Sequence, residues 1–323
     1  MTAESVGLLD LDPLTYTSHA LHSDDRIWPE TNCYVDLWIE TLHALGLDPV
    51  APLAFTLACD FNGEQWEFFK YPHIDLQHLY GLRITEINLW RGADIHIERH
   101  LRMGRLMTIE VDSWFLPDTA GVSYRVEHQK SSIVPQMIDR PARRLGYFHN
   151  RGYYEISDAD YVGALQLGDA DGALPPYAEL VDLDHLRRPS SDTLAVDAEQ
   201  LARQYVSQRP SSNPIARMSS SLQGDVPWLQ AAGIDEFHAY AFGTLRQCGA
   251  WAELASTFLG SLHRADLAPA VDLLSNIAAT AKTCQFKLAR VVAGRSADIT
   301  SSFSTMIDDW DGAYATLAKV FGA

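Results

Sequence analysis

The chain has 323 residues, of which 47% are apolar, 21% charged and 10% aromatic, with a formal charge of −17 at neutral pH. This length exceeds the usual single domain, so two domains are expected, and the acidic balance argues against nucleic acid as a partner. No apolar run reaches the roughly 18 uncharged residues of a membrane helix. The opening MTAESVGLLDLDPLTY is acidic where a signal peptide is basic, so no membrane association and a cytoplasmic location are expected.

In chain order, NCYVDLWIETLHAL carries Tyr34, Leu37, Trp38, Leu42 and Leu45 at helical spacing, with Thr31 or Asn32 as N-cap and Gly46 as the stop. PLAFTLACDF predicts a second helix, QWEFFKYP a strand or turn, HIDLQHLYG a short helix and ITEINLW a half-buried strand. GADIHIERHLRMG reads as a helix closed by Gly104. RLMTIEVDSWFL follows as a strand ending at Pro117, and then the loop PDTAGVSYRVEH. Three strand-like runs come next, SSIVPQMID, RRLGYFHN and GYYEISD, the first two joined as a hairpin. The acidic and proline-rich stretches GDADGALPPYAELVDLDH and RRPSSDTL are expected as loops. Beyond about Asp192 the texture is Ala/Leu-rich and helix-periodic, which predicts a helical bundle.

The fold class expected is therefore α+β, an opening helix plus an antiparallel sheet over 1–190 and an α-helical bundle over 191–323; the order of candidate residues given below makes the first part resemble a papain-like core. Four cysteines, Cys33, Cys59, Cys248 and Cys284, form no CxxC pair, which speaks against a disulfide framework or a thiolate zinc site. His96 and His100 have helical spacing but read as a solvated face, so no metal is expected.

Cys33 stands apart because it falls in the first turn of a helix, where the dipole favours the reactive thiolate. A cysteine acyl-enzyme needs that thiolate, an imidazole, a group that orients the imidazole and donors for the oxyanion. Papain-like enzymes draw the imidazole and its orienting group from adjacent strands of a later sheet. Here His128 precedes SSIVPQMID and Asn150 ends LGYFHN, which suggests a Cys33–His128–Asn150 triad. The N–H of Cys33 with Asn32 or Thr31 would form the oxyanion hole. His149 and His22 are rival bases: strand alternation turns His149 away from Asn150, and His22 lies upstream of the nucleophile. Cys59, Cys248 and Cys284 sit in apolar helical patterns and read as core.

WPETNCYVDLWIETLHALGLDP, DFNGEQWEFFKYP, EVDSWFLPDTAGVSYRVEHQKSSI, LGYFHNRGYY and FGTLRQCGAWAELA together resemble a bacterial family of unknown function. Genes of that family often lie beside carrier proteins and amino acid:carrier-protein ligases. More distantly, EVDSWFLPD with the following tyrosine, histidine and strands is similar to the N-terminal domain of the butirosin-biosynthesis acyltransferase, itself related to papain-like C39 peptidases. That resemblance implies an early cysteine, a histidine before a strand and an Asp or Asn on the next, which fall on Cys33, His128 and Asn150. The chain departs from the pattern where QKSS follows the histidine and Asn150 replaces the usual Asp.

The resemblance implies an acyl- or aminoacyltransferase with no cofactor of its own. An acyl group on the phosphopantetheine of an acyl or peptidyl carrier protein would move to Cys33 and then to a small-molecule or amino acid acceptor. A cysteine hydrolase (thioesterase, amidase or peptidase) using the same triad and a non-catalytic carrier-binding protein are the other classes open. Within the matching motifs, Asp112 or Asp118 would bind a substrate ammonium, and Trp66 and Tyr124 would line the acyl site or belong to the core. Arg246 and Glu253, seven apart on one helical face, would either pair to join helices or form a pocket wall. Carrier proteins are acidic, so an acidic chain must present a basic patch; RPARR (140–144) and HLRR (185–188) are the candidate segments.

Overall fold

Asn32 starts the first long helix. Its backbone is extended, and its side-chain oxygen accepts the N–H groups of Tyr34 and Val35, so the N-cap is Asn32 rather than Thr31. Helix α1 runs Cys33–Ala44, and Val35, Leu37, Trp38, Ile39 and Leu42 along it are buried. The structure is a computed structural model and describes residues 5–168 and 174–322.

The chain divides into two units. The first holds the residues up to Ser23, Asn32–Pro49 and Tyr71–Pro189. Its strands are β1 (Val6–Gly7), β2 (Arg83–Glu86), β3 (Leu106–Asp112), β4 (Lys130–Asp139), β5 (Arg144–His149), β6 (Gly152–Ser157) and β7 (Ala178–Asp182). They form one sheet in the order β2-β7-β3-β4-β5-β6, with β1 against β4, and every pairing is antiparallel. Pro135, which has no N–H to give, sits where the β4–β5 register shifts. Helices α2 (His73–Tyr80), α3 (Ala93–Arg102) and α4 (Asp158–Ala164) complete this unit. Gly81 closes α2 in the left-handed region, and a Cβ there would collide with the His185 carbonyl.

The second unit holds Asp24–Thr31, Val50–Lys70 and the C-terminal region from Ser190. It contains α5 (Ser191–Ser207), α6 (Pro214–Ala232), α7 (Ile234–Ala241), α8 (Gln247–Ser261), α9 (Ala268–Val292) and α10 (Thr300–Phe321). PLAFTLA folds as a 3-10 helix, Ala51–Ala58, and its carbonyls are tied to the bundle by tryptophan and tyrosine. Trp251 donates to Thr56 (2.6 Å) and Tyr314 to Leu57 (3.0 Å). Trp66 stacks on Trp251 with centroids 5.0 Å apart. Each such buried ring removes on the order of 150–250 Å² from water, up to about 4–6 kcal/mol of gross stabilisation.

The architecture is thus α+β, with an antiparallel sheet followed by a helical C-terminal region. One expected loop is a strand: AELVD forms β7, inserted between β2 and β3. Glu179 and Asp182 disguised it as solvent-facing chain, yet Glu179 is 2% exposed. Residues 169–173 of the same expected loop lie outside the described residues. Among the described residues no helix is long and apolar enough to cross a membrane.

Candidate active site

Cys33 occupies the first position of α1 and is partly exposed. The Ser131 side chain and the Ser132 backbone, both at the start of β4, stand close enough to its sulfur to favour the thiolate. Ser131 in turn leads to a histidine: Ser131 Oγ lies 2.6 Å from His149 Nε2. His149 ends β5. Phe148 is paired with Val134, so the next residue along β5 stands diagonally across from Ser131.

On its other side His149 Nδ1 lies 2.5 Å from Asp118 Oδ2, while Tyr147 donates to Asp118 Oδ1 at 2.6 Å. Tyr147 and His149 are two apart on one strand and so share a face, which lets one carboxylate hold both. Asp118 comes from the short 3-10 turn Pro117–Thr119 that follows β3. The side chains of His149 and Asp118 are 1% and 2% exposed. The result is a hydrogen-bonded chain, Ser131, His149, Asp118 and Tyr147, with the Cys33 thiol beside Ser131.

Helix α1 is fastened on two sides of the cysteine. Tyr34 donates to Glu179 Oε2 (2.7 Å), which also accepts from Thr108 (2.7 Å), and Tyr177 donates to Glu179 Oε1 (2.9 Å). Further along, Asp36 and Glu40 enclose His22: Glu40 Oε1 contacts its Nδ1, and Asp36 Oδ1 lies 3.5 Å from its Nε2. Tyr16 donates to the other oxygen of Glu40 at 2.6 Å. Burial opposes charge on His22, but the hydrogen bonds to Asp36 and Glu40 and their attraction outweigh it, and its pKa rises to about 9. His22 is therefore held between two carboxylates of α1.

The thiol itself is not ionised by its position. Burial pushes the Cys33 pKa up, Asp36 adds to this, and Ser131, the Ser132 backbone and Lys130 only partly oppose it. The expected dipole-lowered thiolate is not what the structure gives: the Cys33 pKa is raised. Cys59, Cys248 and Cys284 are buried core thiols, each also raised by burial.

His128 is not the histidine that meets this network. Its side chain is 67% exposed, stacked on Trp114 at 4.4 Å, with Nδ1 2.5 Å from Asp112 Oδ2. Asp112 also caps the Trp114 N–H. Asn150 takes a left-handed φ of 44° in the turn between β5 and β6, a conformation asparagine tolerates better than most residues. Asn32 gives its side-chain oxygen to the helix cap. Thr31 is buried, and its carbonyl accepts from Gln247 within the helical unit.

The remaining candidates have other partners. Trp66 is core, its indole donating to Met218 Sδ. Tyr124 donates to Asp160 at 3.0 Å. Glu253 accepts from the N–H groups of Ile27 (3.0 Å) and Trp28 (2.8 Å) and lies 3.6 Å from Arg26, while Arg246 reaches Glu30 at 3.9 Å. Arg140 is paired with Asp94 and Glu98, and Arg144 with Glu155. Arg187 and Arg188 donate to the His78 and Leu45 carbonyls. A different basic surface remains, a groove of about 280 Å³ lined by Trp90, Arg91, His96, Arg99, His100 and Met103. Trp90 and Met103 are 66% and 49% exposed there.

The sequence signal missed was the alternation in YFH at 147–149, which aims Tyr147 and His149 one way, with an acidic residue in LPD available to both. Together these features define an α+β chain with a helical C-terminal region and a candidate cysteine–histidine centre. Residues 17–183 match the DUF1839 N-terminal domain and residues 191–319 the DUF1839 C-terminal domain, so the chain belongs to the DUF1839 family. No curated protein matches it.

Proposed function

We propose that this protein is a cysteine-dependent acyl- or aminoacyltransferase of papain-like design, with Cys33 as nucleophile, His149 as base and Asp118 as the group that orients His149. One observation supports the reading: Cys33, the first residue of α1, lies beside Ser131, which is hydrogen-bonded to the buried His149–Asp118 pair. These parts supply the nucleophile, base and orienting group that acyl transfer requires.

In the first half-reaction the Cys33 sulfur attacks a thioester carbonyl and its proton passes to His149. The carbonyl–sulfur bond of the donor breaks, and His149 returns the proton to the leaving phosphopantetheine thiol. In the second, an acceptor amine, thiol or hydroxyl attacks the Cys33 acyl group, gives its proton to His149, and the Cys33 thiol is restored. The Cys33 N–H, one of the donors a helix leaves outside its own ladder, is the donor offered to the oxyanion.

The donor proposed is an acyl or peptidyl carrier protein, from the resemblance of the quoted motifs. The groove at Arg91 and Arg99 supports an acidic partner on a chain whose net charge is −17. The acceptor is a small molecule or amino acid. Incubating the protein with aminoacylated carrier and a panel of amines tests the reading. Transfer to an amine that depends on Cys33 supports it; release of free acid alone identifies a hydrolase.

A further inference from the structure

Ser131 stands beside the thiol and 2.6 Å from the imidazole, and the groups beyond it bear on its hydrogen-bond directions. A carboxylate accepts only, so the 2.5 Å contact to Asp118 Oδ2 assigns the hydrogen to His149 Nδ1. In neutral His149, Nε2 then carries the lone pair, and across the 2.6 Å contact Ser131 is the donor to it. With its own hydrogen directed to His149, the Ser131 oxygen is left to accept, and the Cys33 sulfur lies near enough to Ser131 for that side chain to favour its thiolate. Tyr147 locks the far end by donating to the other oxygen of Asp118 at 2.6 Å. Ser131 is 6% exposed, so bulk water does not readily take its place.

We propose that Ser131 is a proton relay. The Cys33 S–H bond breaks as its proton moves to Ser131 Oγ, while the Ser131 O–H proton moves to His149 Nε2. The products are a Cys33 thiolate, an unchanged Ser131 hydroxyl and an imidazolium paired with Asp118. The step conserves atoms and charge and needs no co-reactant. The thiolate faces Ser131, Ser132 and Lys130 on β4 and Asp36 on α1, with His149 on β5 beyond Ser131. Lys130 favours the charge and Asp36 opposes it. This inference deepens the cysteine-transferase reading and rests on it for the use made of the thiolate, but the ionisation is measurable without any acyl donor.

The test is the rate of Cys33 alkylation by iodoacetamide across pH, read by peptide mass, in the full-length protein and in Ser131→Ala, Ser131→Thr and His149→Ala. The relay predicts that Ser131→Ala slows alkylation about tenfold or more at neutral pH and moves the profile to higher pH. His149→Ala should match it, the double variant should be no slower, and Ser131→Thr should stay within about threefold of wild type. Should Ser131→Ala not fold, Ser131→Val against Ser131→Thr repeats the comparison at constant shape. A wild-type profile in Ser131→Ala or Ser131→Val overturns the proposal. So does covalent labelling of Ser131 by a fluorophosphonate, which would make it a nucleophile. A Ser131-dependent profile without acyl transfer to Cys33 would leave the relay standing and remove the transferase reading.

Discussion

Asp118 Oδ2 lies 2.5 Å from His149 Nδ1, and both side chains are almost fully buried. A buried carboxylate that holds an imidazole by one nitrogen directs the other outward, here toward Ser131 and the cysteine at the mouth of α1. The choice of histidine follows from this relationship.

His149→Ala should lower the rate of Cys33 acylation by about 10²–10⁴-fold, the usual worth of a positioned acid–base. His128→Ala should change it by less than about threefold, because His128 stacks on Trp114 at the surface. Rapid-quench mass spectrometry with a simple acyl thioester compares the two. The reverse ranking would return the base to His128.

Asp118→Asn keeps the shape but loses the acceptor that fixes the His149 hydrogen. The expected loss is on the order of 10²–10⁴-fold in acylation rate. Tyr147→Phe, which leaves the Asp118–His149 contact in place, should cost less than about tenfold. Equal losses in the two variants would show that Asp118 acts only through packing.

Much of this was legible in the residues, and the exceptions have physical causes. The α1 pattern, the cap and Cys33 at its start follow from helical periodicity and capping, which are local. The sequence places Asn150 on a strand, whereas it turns the chain in a left-handed conformation, and His149 rather than His128 meets Ser131. Once Asn150 leaves the strand, the alternation that turned His149 away from it no longer disfavours His149. From the sequence Asp118 is a loop carboxylate expected to bind a substrate ammonium. Its burial depends on β3 and β5 being separated by β4 alone in the sheet, a long-range fact that no local pattern carries. Glu253 shows the same limit: its partners, the N–H groups of residues 27 and 28, lie more than 200 positions away.

His22 gives the fold an alkaline weakness. Its pKa is raised to about 9 in the folded state, above the ordinary value near 6.5. Its contribution is therefore fully present below about pH 6.5 and is lost as the pH climbs through about 9. Urea midpoints should fall between these pH values by an amount worth on the order of 1–3 kcal/mol. His22→Gln should be less stable at neutral pH and show a flatter dependence. An unchanged slope in the variant would assign the alkaline loss to other groups.

Glu253→Ala removes the acceptor for two backbone N–H groups and the partner of Arg26. Unsatisfied buried donors cost about 1–3 kcal/mol each, so the variant should unfold at markedly lower denaturant. Cys33 alkylation measured on the folded protein should be unchanged. A loss of alkylation without a loss of stability would contradict a structural role for Glu253.

Charge reversal in the groove, Arg91→Glu with Arg99→Glu, should weaken carrier-protein binding at least tenfold and flatten its salt dependence. Turnover of a free acyl thioester should be preserved. Arg144→Glu, whose arginine already faces Glu155, should change carrier binding by less than about threefold. Binding that responds to Arg144 but not to Arg91 and Arg99 would place the dock elsewhere.

The most direct measurement is the intact mass of the protein after exposure to an aminoacylated carrier protein, in wild type, Cys33→Ala and His149→Ala. The account predicts one acyl adduct on wild type, mapped to Cys33, none on Cys33→Ala and a strongly slowed adduct on His149→Ala. An adduct of equal yield on Cys33→Ala, or none on well-folded wild type with any carrier thioester, would contradict it.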